Sequence, residues 1–314
     1  MRHLSYPFDI FASIVAVAAI SGSILFPEVM LEIRYPVLAL AMITVGIPHG
    51  AVDHIISADL YNLSNSIADQ ALFYLPYLAL MLLMGVIWYV SPPVGFGIFL
   101  ACTIYHFGQA DLFYLSVSST LKNLLYLSRG FMIIGLLIFV NPQVSFPIME
   151  TIAGLNLPMD AFIPFSIYIG WLMALQHILF LGTVAIIYDN QHSTSPWYPV
   201  GDSFLIAALF LFSEPIIAFA VYFGCWHSIG HVKELKDFFI KQGRNWSITE
   251  FYKQSWLFTA ISIAGLTFLY WFNTAFGSEL QMLALLFILI SALTLPHMIV
   301  VELMFNTKKM QSRS

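Results

Sequence analysis

The chain has 314 residues, of which 60% are hydrophobic and 9% charged, and its mean hydropathy is +0.84, a composition typical of a polytopic membrane protein. Soluble domains carry roughly 25% charged residues, so a soluble core of this length is excluded. The net charge is only −5 and the 12 basic residues form no basic stripe, which argues against nucleic acid as a partner.

Ten hydrophobic runs, separated by Pro, Gly and polar clusters, predict an all-α fold. A polytopic bundle of transmembrane helices would form one integral-membrane domain over residues 1–314. The first run is interpreted as a helix and not as a cleaved signal, because it lacks a small-residue cleavage pattern and stays apolar up to Phe26. The predicted spans cover residues 10–27, 36–57, 70–90, 92–115, 123–141, 161–188, 201–213, 215–236, 254–274 and 280–305.

The seventh run is short for a membrane span. It has about a dozen residues before Ser213-Glu214-Pro215, whereas a full span needs roughly 20. A half-span, or a tilted entry into the eighth span, is therefore an alternative to a complete crossing.

The basic residues favour an even number of spans, because Lys and Arg concentrate on the cytoplasmic side of a membrane. With ten spans and both termini in the cytoplasm, Arg34 is the one basic residue on the outer side. Merging the seventh and eighth spans would place Arg2, Lys122 and Arg129 opposite the other cytoplasmic residues. The sequence therefore predicts ten spans, with Arg129 near the cytoplasm.

Seven of the nine histidines lie in predicted spans, and all seven lie in even-numbered ones. Counted from the outer ends, six of them come about 12 to 17 residues into the span, which at 1.5 Å per residue is one thin slab. His54 lies deeper, towards the cytoplasm. Ionisable residues inside a membrane face the bundle interior and mark a site, so the sequence predicts a single inward-facing histidine cluster. The six are His49, His106, His177, His227, His231 and His297.

Two of these histidines are four residues apart in the eighth span. On an α-helix, His227 and His231 would share a face and could give one metal ion two nitrogen ligands. The alternative is a hydrogen-bonded or water-filled core without metal. Cys225 is two residues from His227 and invites a ligand interpretation, but a cysteine in an apolar helix is more often a small hydrophobic residue.

An aspartate follows two of the histidines by about one helical turn. Asp53 comes four residues after His49, and Asp111 comes five after His106. A carboxylate near a ligating imidazole can accept the proton of its second nitrogen and fix the tautomer. Direct ligation, or a position at the cytoplasmic end of a helix, are the alternatives for both aspartates.

Small residues stand beside the same two histidines. Gly50 and Gly108 follow them directly and would permit close helix approach. Pro48 precedes His49 and would loosen the helix locally, which could let the imidazole be aimed.

The chain resembles the Brp/Blh family, the bacteriorhodopsin-related-protein-like β-carotene 15,15′-dioxygenases of bacteria and archaea. The resemblance runs from the second span to the tenth and rests on four motifs in order. The motifs are Pro48-His49-Gly50-x-x-Asp53, His106-Phe107-Gly108-x-x-Asp111, His227-Ser228-x-x-His231 and Leu295-Pro296-His297-Met298.

The resemblance implies an iron-dependent enzyme of the prokaryotic cell membrane that crosses the bilayer several times. Such an enzyme uses O2 to cut β-carotene at its central double bond, which yields two molecules of all-trans-retinal. Fe²⁺ is the implied cofactor, with β-carotene, O2 and the lipid bilayer as partners. A rhodopsin-type retinal acceptor fits the family setting, although no residue of this sequence supports one.

The implied iron ligands correspond to four of the histidines. Four other polar residues are candidates for a more distant role around the metal or for an extra ligand. The ligands are His49, His106, His227 and His231, and the further candidates are Asp53, Asp111, His297 and His54.

The coordination chemistry of histidine agrees with this set of ligands. Four neutral imidazoles around a first-row ion leave one or two positions open for dioxygen, whereas zinc would fit the ligands but cannot do redox work. A carotene has no polar group, so the protein must hold it by shape, and 28 Phe, 15 Tyr and 13 Met could form an apolar slot. Candidate slot residues are Tyr105, Phe107, Tyr222 and Trp226, although ordinary packing explains most of the aromatic content.

Two other functions compete with carotenoid cleavage. A di-iron membrane desaturase or hydroxylase typically spends eight or more histidines in clustered boxes, whereas here most histidines come singly from different helices. A transition-metal transporter is the second, because His49-x-x-x-Asp53-His54 faintly resembles nickel and cobalt permease helices. A transporter needs polar groups along a path, and the outer halves of the even spans are nearly all apolar.

Overall fold

A computed structural model of the protein describes residues 6–64, 66–154, 159–188, 197–276 and 279–311. Those ranges contain helices joined by short connections and no strand, so the all-α prediction is confirmed. Two of the helical segments are π-helices, named π1 and π2. The helices are α1 Tyr6–Leu25, α2 Pro27–Ala41, π1 Met42–Gly46, α3 Ile47–Gly50, α4 Asp53–Tyr61, α5 Ile67–Val90, α6 Pro92–Leu112, α7 Ser119–Phe139, α8 Pro142–Ala153, α9 Met159–Tyr188, α10 Tyr198–Phe212, α11 Pro215–Val221, π2 Tyr222–Ser228, α12 Ile229–Lys241, α13 Ile248–Phe276 and α14 Glu279–Gln311.

Six helical segments in the described ranges are long and apolar enough to cross a membrane. Each of the ten predicted spans overlaps a helix, but the count of ten crossings and the cytoplasmic termini stay predictions. The seventh predicted run is the short helix α10, of 15 residues. The six segments are Pro27–Tyr61, Ile67–Val90, Ser119–Phe139, Ala161–Tyr188, Pro215–Lys241 and Leu285–Asn306, and the shorter apolar helices are Ile10–Leu25 and Tyr198–Phe212.

Local sequence explains where several helices begin. The Ser118 hydroxyl accepts a hydrogen bond from the Leu121 amide at the start of α7, and the Ser66 hydroxyl accepts one from the Asp69 amide at the start of α5. At α11, Pro215 occupies the first turn and the Glu214 carboxylate accepts the Ile217 amide. These caps satisfy amides that have no partner inside their own helix.

The chain divides into two compact units, each with its own packing. Unit 1 comprises residues 1–42, 103–146 and 158–230, and unit 2 comprises residues 43–102, 147–157 and 231–314. In unit 1, α7 packs along α9, and α10 packs on α1, α7 and α9; in unit 2, α14 packs on α4, α5 and α13. The prediction of a single domain over 1–314 stays a prediction.

Two glycines allow a close crossing of α6 and α7 in unit 1. A Cβ built on Gly108 would lie 1.8 Å from the Tyr126 carbonyl oxygen, and one on Gly130 would lie 1.8 Å from the Ile104 carbonyl oxygen. Each helix therefore presents a glycine to the backbone of the other. The sequence predicted such an approach at Gly108, and the structure confirms it.

We expect Gly108→Ala to destabilise the protein by about 1–3 kcal/mol, because overpacking against a rigid backbone forces the helices apart. The thermal stability of the purified protein in detergent measures the effect. Gly97→Ala is the matched control on the same helix, since a Cβ on Gly97 meets nothing within 4 Å. Equal thermal stability of the two variants would contradict the close crossing.

Candidate active site

A π-helix lies at, or just before, two of the motif histidines, His227 and His49. π2 spans Tyr222–Ser228 and includes His227, while π1 ends at Gly46, three residues before His49. The sequence predicted α-helix at both places, with a local loosening at Pro48. π-helical segments are rare and occur often at functional sites, so the irregular backbone is itself a marker of a site here.

Three imidazoles meet in unit 2. The ring centroids of His49 and His231 lie 5.6 Å apart, those of His49 and His297 5.1 Å apart, and those of His231 and His297 5.3 Å apart. Each pair meets edge to face. All three side chains are buried, with exposed fractions of 2–6%. The structure therefore brings two predicted ligands and one predicted accessory histidine into one small volume.

A carboxylate orients one of these rings. Nδ1 of His297 lies 2.9 Å from Oδ1 and 3.0 Å from Oδ2 of Asp53, and the Tyr77 hydroxyl donates to Oδ2 of Asp53 at 3.0 Å. A carboxylate on Nδ1 favours the tautomer whose Nε2 has a lone pair for a metal. The spacing in the sequence directed attention to His49, four residues before Asp53, but this pair joins residues 244 positions apart.

This donor set suits a divalent first-row ion. Neutral imidazoles are preferred ligands of Fe, Zn, Cu and Ni, and a carboxylate behind one of them is the usual outer partner of a ligating histidine. Across the described ranges, however, no three His, Cys, Asp or Glu side chains already have a complete metal-binding geometry. The metal therefore stays a prediction.

The other two predicted ligands form a pair in unit 1. His106 and His227 have ring centroids 5.0 Å apart at an interplanar angle of 80°, and each is 2% exposed. Two slot candidates also lie here, since Phe107 is 4.7 Å from the His227 ring and 5.4 Å from the Tyr222 ring. Phe223, which the sequence analysis did not single out, stacks on His227 at 5.2 Å and 25°.

Arg129 is fully buried in unit 1, and its predicted position near the cytoplasm stays a prediction. Its guanidinium donates through Nε to Asp111 and through Nη2 to Asp202, both at 2.8 Å, and through Nη1 to the Ser203 hydroxyl at 2.6 Å. Two carboxylates offset the cost of burying the arginine. Because two carboxylates lie beside its guanidinium, Arg129 is a weak indicator of the side of the membrane on which it lies.

The remaining predicted site residues contact side chains other than the histidines described above. Asp111 binds Arg129 and accepts a hydrogen bond from Tyr222 at 3.3 Å. Its predicted hydrogen bond to the imidazole of His106 stays a prediction. His177 contacts the hydroxyls of Ser128 and Ser203 at 3.0 and 3.3 Å. In unit 2, the His54 ring packs on Phe258 at 4.8 Å. Six of the seven span histidines are buried, as predicted, and His54 is partly exposed.

Six helices long and apolar enough to cross a membrane, together with buried imidazoles of which one meets a carboxylate, fit the class of helical membrane proteins with histidine-rich sites. Comparison with known proteins narrows the class. The chain belongs to the β-carotene 15,15′-dioxygenase family, whose sequence model matches residues 40–305.

Two curated relatives agree with this assignment. The chain is 28% identical over 275 residues to the protein named beta-carotene 15,15′-dioxygenase of an uncultured marine bacterium, 66A03, an alignment that covers 85% of this chain and 93% of the relative. It is 30% identical over 238 residues to the protein named probable beta-carotene 15,15′-dioxygenase Blh of Halobacterium salinarum, covering 70% of this chain and 66% of the relative. No solved structure matches the chain significantly.

Proposed function

We propose that this protein is a membrane-embedded oxidoreductase that cleaves β-carotene at its 15,15′ double bond with O2 to give two molecules of all-trans-retinal. The observation that carries the proposal is the family match, which extends over residues 40–305 and so includes every motif histidine. The reaction breaks one C=C bond and forms two C=O bonds, which consumes one O2 per carotene.

Iron is the cofactor that we propose, with His49, His106, His227 and His231 as its ligands. The edge-to-face pairs formed by His49 with His231 and by His106 with His227 support these assignments within their own units. Bound Fe²⁺ would supply the one-electron chemistry that ground-state O2 requires. His297 is held by Asp53 beside His49 and His231, and it is either a further ligand or a hydrogen-bonding neighbour of the metal site.

The side chains around the imidazoles determine how a carotene could be bound. Phe107 and Phe223 cover the ring of His227 with apolar surface. A polyene offers no hydrogen-bonding group, so aromatic faces of this kind can orient it by shape and exclude water from the reacting bond. Tyr222 also contacts Phe107, but its hydroxyl points to Asp111.

Asp53→Asn is expected to weaken iron retention about 10- to 100-fold, the usual effect of losing an outer-shell carboxylate. The amide keeps the shape of Asp53 but removes the charge that faces Nδ1 of His297. Iron content after a timed chelator challenge measures the change. Asp59→Asn on the same helix is the control, because Asp59 pairs with the partly exposed Arg244. Full iron occupancy and full retinal formation in Asp53→Asn would contradict this role.

The proposed location is the prokaryotic cell membrane, crossed ten times with both termini in the cytoplasm. The overlap of every predicted span with a helix supports the count. Reporter fusions at the C-terminus and after α5 test it, because ten spans place the first in the cytoplasm and the second outside it. A C-terminal reporter that is active only outside the cytoplasm would contradict the even count.

Expression in cells that accumulate β-carotene tests the function directly. We expect the orange colour to bleach and retinal to appear in the extract. An intact carotene pool with active metal uptake would favour the transporter, while oxidised but uncleaved carotenoid or lipid would favour the di-iron hydroxylase or desaturase. The metal count per chain separates a single iron from a di-iron centre. A rhodopsin-type acceptor for the retinal is a further proposal that the family setting alone supports.

A further inference from the structure

Two side chains of π2 are anchored to carboxylates of unit 1. The Tyr222 hydroxyl donates to Oδ2 of Asp111 at 3.3 Å, and the indole Nε1 of Trp226 donates to Oδ1 of Asp202 at 2.5 Å. These residues are the first and the fifth of the seven in π2. The helix is therefore held at two points, and His227 directly follows the second.

One guanidinium connects the two anchors. Arg129 lies 2.8 Å from each of Asp111 and Asp202 through different nitrogen atoms, and its side chain is 0% exposed. The three charged groups come from α6, α7 and α10. Because a guanidinium is planar and its donors have fixed directions, it sets the separation and the orientation of the two carboxylates.

A π-helix needs such outside support. Long π-helices are rare, because the wider turn weakens packing inside the helix. A π-helix persists where contacts with surrounding residues hold its backbone in place. The indole and the phenol supply those contacts at π2. If π2 became an α-helix, the residues that follow would shift in register, and each residue of shift turns a side chain by about 100° around the helix axis. The His227 ring would then point away from Phe107 and Phe223.

We propose that Arg129 is a positioning residue for His227, acting through Asp111 and Asp202 on Tyr222 and Trp226 to hold the π-helical backbone that aims the imidazole. The consequence for catalysis rests on the proposed function, whereas the consequence for the backbone does not.

The test removes one anchor and leaves the charges in place. Trp226→Phe deletes the indole donor and keeps an aromatic ring, and Tyr222→Phe deletes the phenol donor. Trp88→Phe is the matched control, because the indole of Trp88 also donates a buried hydrogen bond at 2.5 Å, to Ser291 of unit 2. Hydrogen–deuterium exchange of the full-length protein reports the backbone without any need for metal or activity.

We expect Trp226→Phe to speed amide exchange in residues 224–231 by at least about tenfold, since a hydrogen bond to a charged acceptor is lost. Exchange in α9 should change less than twofold. Tyr222→Phe should have a smaller effect in the same direction, because its bond is longer, and Trp88→Phe should leave residues 224–231 unchanged.

Steady-state kinetics then link the backbone to the reaction. We expect kcat for retinal formation to fall at least about tenfold in Trp226→Phe with KM changed less than threefold, because a misdirected ligand affects the chemical step more than carotene binding. Exchange and kcat of Trp226→Phe within twofold of Trp88→Phe would overturn the inference. A wild-type protein that forms no retinal would overturn the proposed function instead, and the exchange experiment would still decide the role of the anchors.

Discussion

Alanine in place of His49 or His231 is expected to abolish retinal formation in β-carotene-producing cells while the protein still inserts and purifies as a folded species. The two rings lie 5.6 Å apart in a buried volume that also holds His297. Each change deletes a proposed iron ligand, so the loss should exceed the roughly 10- to 100-fold that follows removal of an outer-shell partner. The same result is expected for His106 and His227.

Retinal in the cell extract and iron per purified chain are the two measurements. Both should fall together, because the proposed role of these residues is to retain the metal. His192→Ala is the control, since His192 lies outside the predicted spans and outside the described residues. Substantial activity in any one of the four alanine variants would remove that histidine from the ligand set.

Loss of Arg129 should be nearly as damaging, for a different reason. Arg129→Met would leave Asp111 and Asp202 without the cation that lies 2.8 Å from each of them. Breaking a buried ion pair on one side costs about 3–5 kcal/mol, because an uncompensated charge remains. That is a large part of the 5–15 kcal/mol by which proteins are usually stable, so we expect little folded protein.

A variant that removes all three charges separates the effect of unpaired charge on stability from the effect of lost packing. Arg129→Met combined with Asp111→Asn and Asp202→Asn removes all three charges, and replacing a whole buried charge cluster is often close to neutral. We expect the triple variant to recover most of the folded yield, measured as the monodisperse fraction in detergent and its melting temperature. Equal yields of the single variant and the wild type would show that the cluster contributes little to stability.

The sequence was sufficient for features that depend on composition and local pattern. Apolar runs predicted helices that the structure contains, and the short run before Ser213 became a 15-residue helix. Helix α8 was missed, because Pro142–Ala153 mixes polar residues and a second proline into a segment of only 12 residues. The glycine after His106 predicted a close helix crossing, since only hydrogen fits where two backbones meet.

The spacing of residues in the sequence could not predict the partners of the polar side chains. Asp53 was associated with the neighbouring His49 because the helical period brings such residues together, yet its carboxylate meets His297 from a helix at the other end of the chain. Arg129 was taken as a residue near the cytoplasm because charge usually marks a membrane side. No local signal showed that α6 and α10 would each bring an aspartate to it.

By itself, then, the sequence determined that the protein is an apolar, all-helical chain with buried histidines and the motifs of its family, because hydrophobicity and helical period act over a few residues. Only the tertiary structure decided which carboxylate serves which cation or imidazole and where the helix is π rather than α. Those choices depend on side chains contributed by distant segments. The contacts that stabilise a π-helix or a buried arginine form only after the helices have packed.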